Sequence, residues 1–132
     1  MATSSTTVHI LGAGPTGSLA AIALASTGCS VVLTDPLTRK ELLSRSRAYA
    51  ITHSSRRLLT DLKLWTALQS SLTAFSSLDL RDSACGGRVI FGLDDLPNSN
   101  AHHQAIGWIL DHQPLMKLLM DRLHQHHRVQ LA

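Results

Sequence analysis

Residues 8–17 read Val-His-Ile-Leu-Gly-Ala-Gly-Pro-Thr-Gly, a short apolar run followed by a turn rich in glycine. The three glycines have the G-x-G-x-x-G spacing that joins a strand to a helix in dinucleotide-binding folds. We expect Gly12 to allow a tight turn, Gly14 to let a pyrophosphate approach the backbone, and Gly17 to let the helix pack closely on the strand. Pro15 suits the first helical turn, where its missing N–H would have no partner. The free N–H groups of this turn would then face the phosphates.

The sequence after the glycines completes a βαβ unit. Residues 18–27 are apolar and rich in alanine, and Gly28 can end that helix in the left-handed conformation. Residues 29–34 predict a second strand, which ends at Asp35. The carboxylate of Asp35 follows the glycines by about 20 residues, where it can accept hydrogen bonds from ribose hydroxyls. The predicted nucleotide-binding residues are Gly12, Ala13, Gly14, Pro15, Thr16, Gly17 and Asp35. A βαβ unit with a tight turn and no ligand is the alternative interpretation.

Composition and charge narrow the class of protein. The 132 residues are 44% hydrophobic, which suits one domain or part of one. The formal net charge is +3, and six basic residues lie close together in sequence: Arg39, Lys40, Arg45, Arg47, Arg56 and Arg57. This cluster directly follows the nucleotide motif and can attract cofactor phosphates, although a solvated surface is the simpler interpretation for each residue. Aromatic residues make up only 4%, and no helix-turn-helix, RNP or zinc pattern is present, so nucleic-acid binding is not indicated.

Other sequence features bear on the compartment and on metal binding. Cys29 and Cys85 are far apart and suggest a reducing, cytoplasmic compartment rather than a disulfide framework. No apolar run reaches the roughly 18 residues of a membrane span, which leaves only peripheral contact with a membrane open. Residues 1–6 predict a disordered tail rather than a signal peptide. Eight histidines lack cysteines or paired carboxylates at metal-ligand spacing, so no metal site is predicted, including at His102-His103 and at the cluster 124–127.

The remaining sequence predicts further elements of an α/β fold. A capping box formed by Thr38 and Glu41 predicts a helix over 39–44. A second helix would be capped by Ser54 or Ser55 and continue through residue 65, and a third would begin at residue 111 or 112. The predicted strands are 48–52, 77–82, 88–92, 105–110 and 128–131, and residues 94–103 predict a loop. The second and third of these strands would form an antiparallel hairpin. The last would join the parallel sheet, so we expect the chain to be an incomplete domain, the N-terminal part of a longer protein or a truncated copy of one.

Three blocks of this sequence resemble the N-terminal portion of FAD-dependent aromatic hydroxylases, and the ubiquinone-biosynthesis hydroxylases in particular. The first is the glycine motif through Asp35. The second is Arg47-Ala-Tyr-Ala-Ile followed by a serine-arginine helix from Ser55 and the pair Leu64-Trp65. The third is the corner at residues 107–115. The resemblance covers nearly the whole chain and implies that residues 1–132 are a partial FAD-binding domain, a Rossmann-like βαβ fold with a parallel sheet and a small antiparallel β insertion.

The resemblance also implies roles for individual residues. The glycine turn would hold the FAD pyrophosphate, Asp35 would bind the adenosine ribose, Arg47 would reach toward the flavin, and Gln113 would lie beside the ribityl chain. The family usually has Glu where this chain has Asp35, and Asn-Arg or a lone Arg where it has His112-Gln113. The family's later Gly-Asp motif and most of its substrate domain have no counterpart here.

The activity that the resemblance implies is monooxygenation of a small aromatic molecule, a phenol or quinone precursor, with NAD(P)H as reductant and O₂ as oxidant. No catalytic residue is predicted in this segment, because FAD supplies the reactivity. Two alternatives stay open: an NAD-binding domain of a dehydrogenase, in which Asp35 would repel the 2′-phosphate of NADP, and an inactive truncated paralogue. Trp65 and Trp108 are predicted to be core residues rather than stacking surfaces. The sequence leaves the exact substrate and the oligomeric state open.

Overall fold

A computed structural model of the chain describes residues 6–97 and 105–132. The predicted tail therefore lies outside the described residues except for Thr6, which is exposed. The predicted loop at 94–103 is described only as far as Pro97, and its first residues form a short 3₁₀ turn, Leu93–Asp95.

Strands and helices alternate through the first half of the chain, as the sequence predicts. The strands are β1 (Thr7–Leu11), β2 (Ser30–Thr34), β3 (Ala48–Ile51), β4 (Leu72–Phe75), β5 (Ser77–Arg81), β6 (Arg88–Gly92), β7 (Gly107–Asp111) and β8 (Val129–Leu131). The helices are α1 (Pro15–Ser26), α2 (Arg39–Leu43), α3 (His53–Asp61), α4 (Trp65–Leu68) and α5 (His112–Gln125), with a 3₁₀ turn at Gln69–Ser71.

The first sheet is parallel and has the order β1-β2-β8. Val8 lies opposite Val31 and Leu33 opposite Leu131, so the last strand joins β2 as predicted. Helices α1 and α5 pack together over this sheet and cover its apolar face. The resulting core places the N-terminal end of α1 at the carboxyl ends of β1 and β2, where open α/β sheets bind their ligands.

The second sheet is antiparallel and has the order β3-β7-β4. Strand β7 lies in the centre, with Leu110 opposite both Tyr49 and Leu72. Strand β4 was not predicted, because its four residues show little alternation between apolar and polar side chains. Trp65 is buried as predicted, and the partly buried Trp108 packs edge-to-face against it with ring centroids 5.1 Å apart.

The predicted helix from Ser54 or Ser55 through Trp65 was wrong at both ends. Its cap is Thr52, whose hydroxyl accepts a hydrogen bond from the N–H of Ser55 at 3.3 Å. The helix ends at Asp61, because Lys63 adopts a φ of 60°. The N–H of Leu64 then bonds back to the carbonyl of Leu59 at 2.8 Å, the pattern of a Schellman motif. This break lets both leucines be buried, which a continuous helix would not achieve.

The predicted β-hairpin is confirmed, with Arg81 opposite Arg88 across β5 and β6. Both arginines bond the carboxylate of Asp79, which lies on the same face. Among the residues that the structure describes, no helix is long and apolar enough to cross a lipid bilayer.

Candidate cofactor site

The glycine turn has the geometry that its spacing predicts. Gly12 has a φ of 100°, a conformation that glycine adopts without strain, and its N–H bonds the carbonyl of Thr34 at 2.7 Å. A Cβ on Gly17 would lie 1.8 Å from the carbonyl oxygen of Gly12, so only glycine allows α1 to approach the turn this closely. Gly14 precedes the helix in an extended conformation, and a Cβ there would meet no atom within 4 Å. The space above Gly14 is therefore open to a ligand.

The first turn of α1 leaves backbone donors available. The N–H of Ser18 is the first to bond back along the helix, to the carbonyl of Gly14 at 2.9 Å. Within the described part of the chain, no acceptor bonds the N–H groups of Thr16 and Gly17. Such groups, together with the positive end of the helix dipole, favour an anion at this position.

Ser18 fixes the turn from beneath, a role that the sequence reasoning missed. Its side chain is fully buried, and its hydroxyl donates a hydrogen bond to the carbonyl of Ala13 at 3.0 Å. The available signal was a polar residue directly before the apolar run 19–25 of the helix. A buried hydroxyl of this kind is kept because it satisfies a backbone acceptor inside the core.

Asp35 lies beside the glycine turn and is tied to it. One carboxylate oxygen accepts a hydrogen bond from the N–H of Ala13, with an N···O distance of 2.7 Å. The other accepts one from the N–H of Leu37, at 2.8 Å. The hydrogen bond from Leu37, then that from Ala13, and then the charge of Arg45 lower the pKa of Asp35. The group is therefore ionised at neutral pH. Because a carboxylate has about four lone-pair positions, Asp35 retains acceptor capacity for hydroxyl groups.

A cleft of about 440 Å³, distinct from the glycine turn, lies between β3 and the start of α5 and is lined by both Arg47 and Gln113. Its full lining is Arg45, Ser46, Arg47, Ala48, Asp111, His112, Gln113 and Pro114. The carbonyl of Arg47 accepts the N–H of His112 at 2.8 Å, which fixes the two sides of the cleft relative to each other. Arg45 lines this cleft, and its charge also lowers the pKa of Asp35. The cleft is therefore close enough to Asp35, beside the glycine turn, for a charge in it to affect that carboxylate.

His112 is a buried connector, whereas the sequence analysis identified it only as a candidate cap of the last helix and as a departure from the family. The side chain is 1% exposed. Its Nε2 donates to the carbonyl of Leu42 at 2.7 Å, and in the neutral ring Nδ1 accepts the hydroxyl of Tyr49 at 2.7 Å. His112 therefore joins α2, β3 and α5 beneath the cleft. The N-cap position of α5 belongs to Asp111, whose side chain makes no capping bond.

The basic residues near the motif lie in different surroundings. Arg39 forms an ion pair with Asp121, and Lys117 approaches the same carboxylate at 3.7 Å. These cations border a larger groove of about 800 Å³ between α2 and α5. Arg56 lies apart from it, against two tryptophans.

Metal ligands are not grouped in the described residues. Across 6–97 and 105–132, no three His, Cys, Asp or Glu side chains lie close enough to hold a metal ion. His102 and His103 lie outside these ranges. The expectation of no metal site stays a prediction.

A parallel βαβ unit with a G-x-G-x-x-G turn and a carboxylate beside that turn defines a dinucleotide-binding α/β domain. The open space at Gly14, the available amides of the first turn and the acceptor capacity of Asp35 all fit such a cofactor. The chain belongs to the FAD binding domain family, whose sequence model matches residues 5–79.

Solved structures of flavin enzymes have the same fold. p-Nitrophenol 4-monooxygenase PnpA of Pseudomonas putida aligns over 100% of this chain and 32% of its own, at 17% identity and a TM-score of 0.73. PqsL of Pseudomonas aeruginosa, solved in complex with 2-aminobenzoylacetate, aligns over 96% of this chain and 32% of its own, at 17% identity and a TM-score of 0.72. The flavin-dependent monooxygenase PieE, solved with FAD and substrate, is similar over 96% of this chain and 23% of its own, at 18% identity and a TM-score of 0.67.

A curated relative is an uncharacterised protein of Synechocystis. It is 26% identical over 122 residues, which are 92% of this chain and 28% of that protein. The chain thus spans about a third or less of the relatives that it matches.

Proposed function

We propose that this chain holds FAD in a flavin-dependent monooxygenase that hydroxylates an aromatic substrate, a phenol or quinone precursor, with NAD(P)H and O₂. The observation that carries the proposal is the glycine turn, open above Gly14 and joined to Asp35 through the N–H of Ala13. Membership of the FAD binding domain family favours FAD over the NAD of a dehydrogenase. The structural relatives named as monooxygenases support this reaction class.

Each residue of the site has a distinct task in this proposal. The backbone N–H groups of the turn Gly12–Gly17 would donate hydrogen bonds to the pyrophosphate, and Asp35 would accept hydrogen bonds from the hydroxyls of the adenosine ribose. Arg47 would reach toward the flavin and Gln113 would lie beside the ribityl chain, and both residues line the same cleft. FAD, when bound, supplies the chemistry of oxygen transfer. The chain's own residues bind and orient it.

The two departures from the family pattern fit this assignment. Asp35 is one methylene shorter than Glu, and its two hydrogen bonds to backbone N–H groups hold it against the turn. At the corner, His112 is buried and supports the cleft, which leaves Gln113 exposed as the side chain that faces the cofactor. Gln113 donates and accepts hydrogen bonds but brings no charge.

The finer assignment is to the ubiquinone-biosynthesis branch of these hydroxylases, acting in the cytoplasm with peripheral contact to a membrane. The three sequence blocks quoted above support the assignment to this branch, and the two widely separated cysteines favour the reducing compartment; the contact with a membrane is part of the proposal and has no support in the described residues. The substrate would be a small aromatic molecule, with no nucleic-acid partner.

The test uses the full-length protein, purified and titrated separately with FAD and with NAD. We expect bound FAD to show flavin absorbance near 450 nm, and Asp35→Asn to weaken FAD binding. Consumption of NADH or NADPH with phenolic substrates, and mass spectrometry of an oxygenated product, then test the reaction. Binding of NAD without FAD would favour a dehydrogenase, and binding of neither would favour an inactive paralogue.

A further inference from the structure

Arg56 lies between the two tryptophans of the described fold. Its Cζ is 5.1 Å from the ring centroid of Trp65 and 5.0 Å from that of Trp108. The two indoles meet at an interplanar angle of 80°, so the guanidinium lies in a corner formed by perpendicular rings. Both contacts are within the distance of a cation–π interaction.

The hydrogen-bonding capacity of Arg56 is unused. A guanidinium has five N–H donors, yet in residues 6–97 and 105–132 no acceptor bonds to the Arg56 guanidinium and no carboxylate pairs with it, although the backbone N–H of Arg56 bonds the carbonyl of Thr52. The residue is half-buried and lies in the fourth position of α3. The positive end of the helix dipole disfavours a cation near this end of a helix, so an anion at Arg56 would offset that cost.

A cavity of about 230 Å³ opens directly beside this guanidinium. Its lining is Arg56, Trp65, Gln69, Leu72, Ala74 and Trp108. The walls therefore combine two indoles and two aliphatic side chains with one cation and one amide. None of these residues belongs to the glycine turn, to Asp35 or to the cleft with Arg47 and Gln113.

We propose that this cavity binds the carboxylate of a small planar organic acid. The fixed fork of a guanidinium matches the two oxygens of a carboxylate, and the indoles of Trp65 and Trp108 contact a flat apolar body. Gln69 offers one further polar contact. A phosphate would bring three oxygens into a site with a single cation, whereas a carboxylate is satisfied by Arg56 alone. The proposal concerns a site separate from the cofactor and does not depend on the proposed function.

The competing explanation is that Arg56 only braces the two indoles. The two cation–π contacts stabilise the fold by themselves, without any ligand. If Arg56 only stabilised the contact between the two indoles, its guanidinium donors would not need to stay unpaired beside a cavity. That role also predicts no affinity for an organic acid.

The experiment is isothermal titration calorimetry of the full-length protein with sodium benzoate and with its uncharged analogue benzamide. We expect saturable benzoate binding, at least tenfold weaker binding of benzamide, and at least a tenfold loss of benzoate affinity in Arg56→Gln. The matched control is Arg57→Gln, which removes the same charge from the adjacent, exposed position and should leave benzoate affinity unchanged.

Two further measurements separate the loss of the proposed binding site from unfolding and from loss of FAD binding. Arg56→Lys retains the charge and the cation–π contacts but lacks the fork, so we expect it to remain folded and bind benzoate more weakly than the natural protein. FAD titration of each variant should give the same affinity as the natural protein, which separates this site from the proposed function. Failure of the natural protein to bind benzoate, equal affinity for benzamide, or benzoate binding unaffected by Arg56→Gln would overturn the proposal.

Discussion

Replacing Gly17 by alanine tests the close approach of α1 to the glycine turn. The added Cβ would lie 1.8 Å from the carbonyl oxygen of Gly12 and 3.0 Å from its carbonyl carbon. Both are backbone atoms, so no flexible side chain can move aside. The helix start or the turn must shift by more than an ångström to accommodate the methyl group.

The size of the effect follows from two opposing contributions. Overpacking in a closely packed interior costs about 1–3 kcal/mol, and a backbone clash belongs at the upper end. Alanine recovers up to about 1 kcal/mol over glycine within a helix. We therefore expect Gly17→Ala to lower the free energy of unfolding by about 2 kcal/mol, and to weaken FAD binding because the amides of the turn are displaced.

Gly14→Ala is the matched control, since its φ of −68° and ψ of −175° suit any residue and its Cβ would meet no protein atom within 4 Å. We expect its unfolding free energy to stay within about 0.5 kcal/mol of the natural protein, while FAD affinity falls at least tenfold. The assay is urea unfolding of the apoprotein together with FAD titration of each variant. Natural stability in Gly17→Ala would refute the packing argument, and natural FAD affinity in Gly14→Ala would refute the placement of the pyrophosphate.

Four other substitutions, one of them paired with a control, test separate parts of the fold by apoprotein unfolding. The N–H groups of Leu37 and Ala13 lower the pKa of Asp35, so the charged carboxylate stabilises the fold above about pH 4, and this stabilisation is lost as the pH falls through the lowered pKa. Asp35→Asn should therefore reduce the dependence of the unfolding free energy on pH, measured by unfolding curves collected at acid pH. His112→Leu leaves the buried carbonyl of Leu42 and the half-buried hydroxyl of Tyr49 without their hydrogen bonds to the ring and should cost about 2–4 kcal/mol in urea unfolding. Thr52→Ala removes the cap of α3 and should cost about 1 kcal/mol, whereas Ser54→Ala, at the position expected from sequence, should cost little. Lys63→Gly relieves a left-handed backbone and should raise the thermal midpoint, with a gain of about 0.5–1 kcal/mol.

The sequence was informative wherever a short pattern specifies backbone geometry. Gly12 and Gly17 are required by a positive φ and by a close contact, and both constraints are visible in their spacing. The capping box of Thr38 and Glu41 forms as predicted, because its hydrogen bonds involve residues three positions apart. Strand β8 joins β2 because a strand that follows a helix in an α/β pattern pairs in parallel with its neighbours.

Local patterns failed where burial outweighed them. The break after α3 depends on placing Leu59 and Leu64 together in the core, with Lys63 held in an unfavourable conformation as a result. Strand β4 exists because β7 offers it a hydrogen-bonding edge, not because its own residues favour a strand.

The sequence alone determined the βαβ crossing, its glycine turn and the carboxylate at the end of β2. Each of these depends on residues close together in the chain or on a repeating apolar period. Only the tertiary structure revealed that Asp35 bonds the N–H of Ala13, that Arg47 and Gln113 share one cleft above His112, and that Arg56 lies between two tryptophans. Apart from the contact between Arg56 and Trp65, which are nine positions apart, these contacts join residues from 22 to 70 positions apart, and their geometry is set by the packing of α2, α3 and α5 against the two sheets. No periodicity within a single segment contains that information.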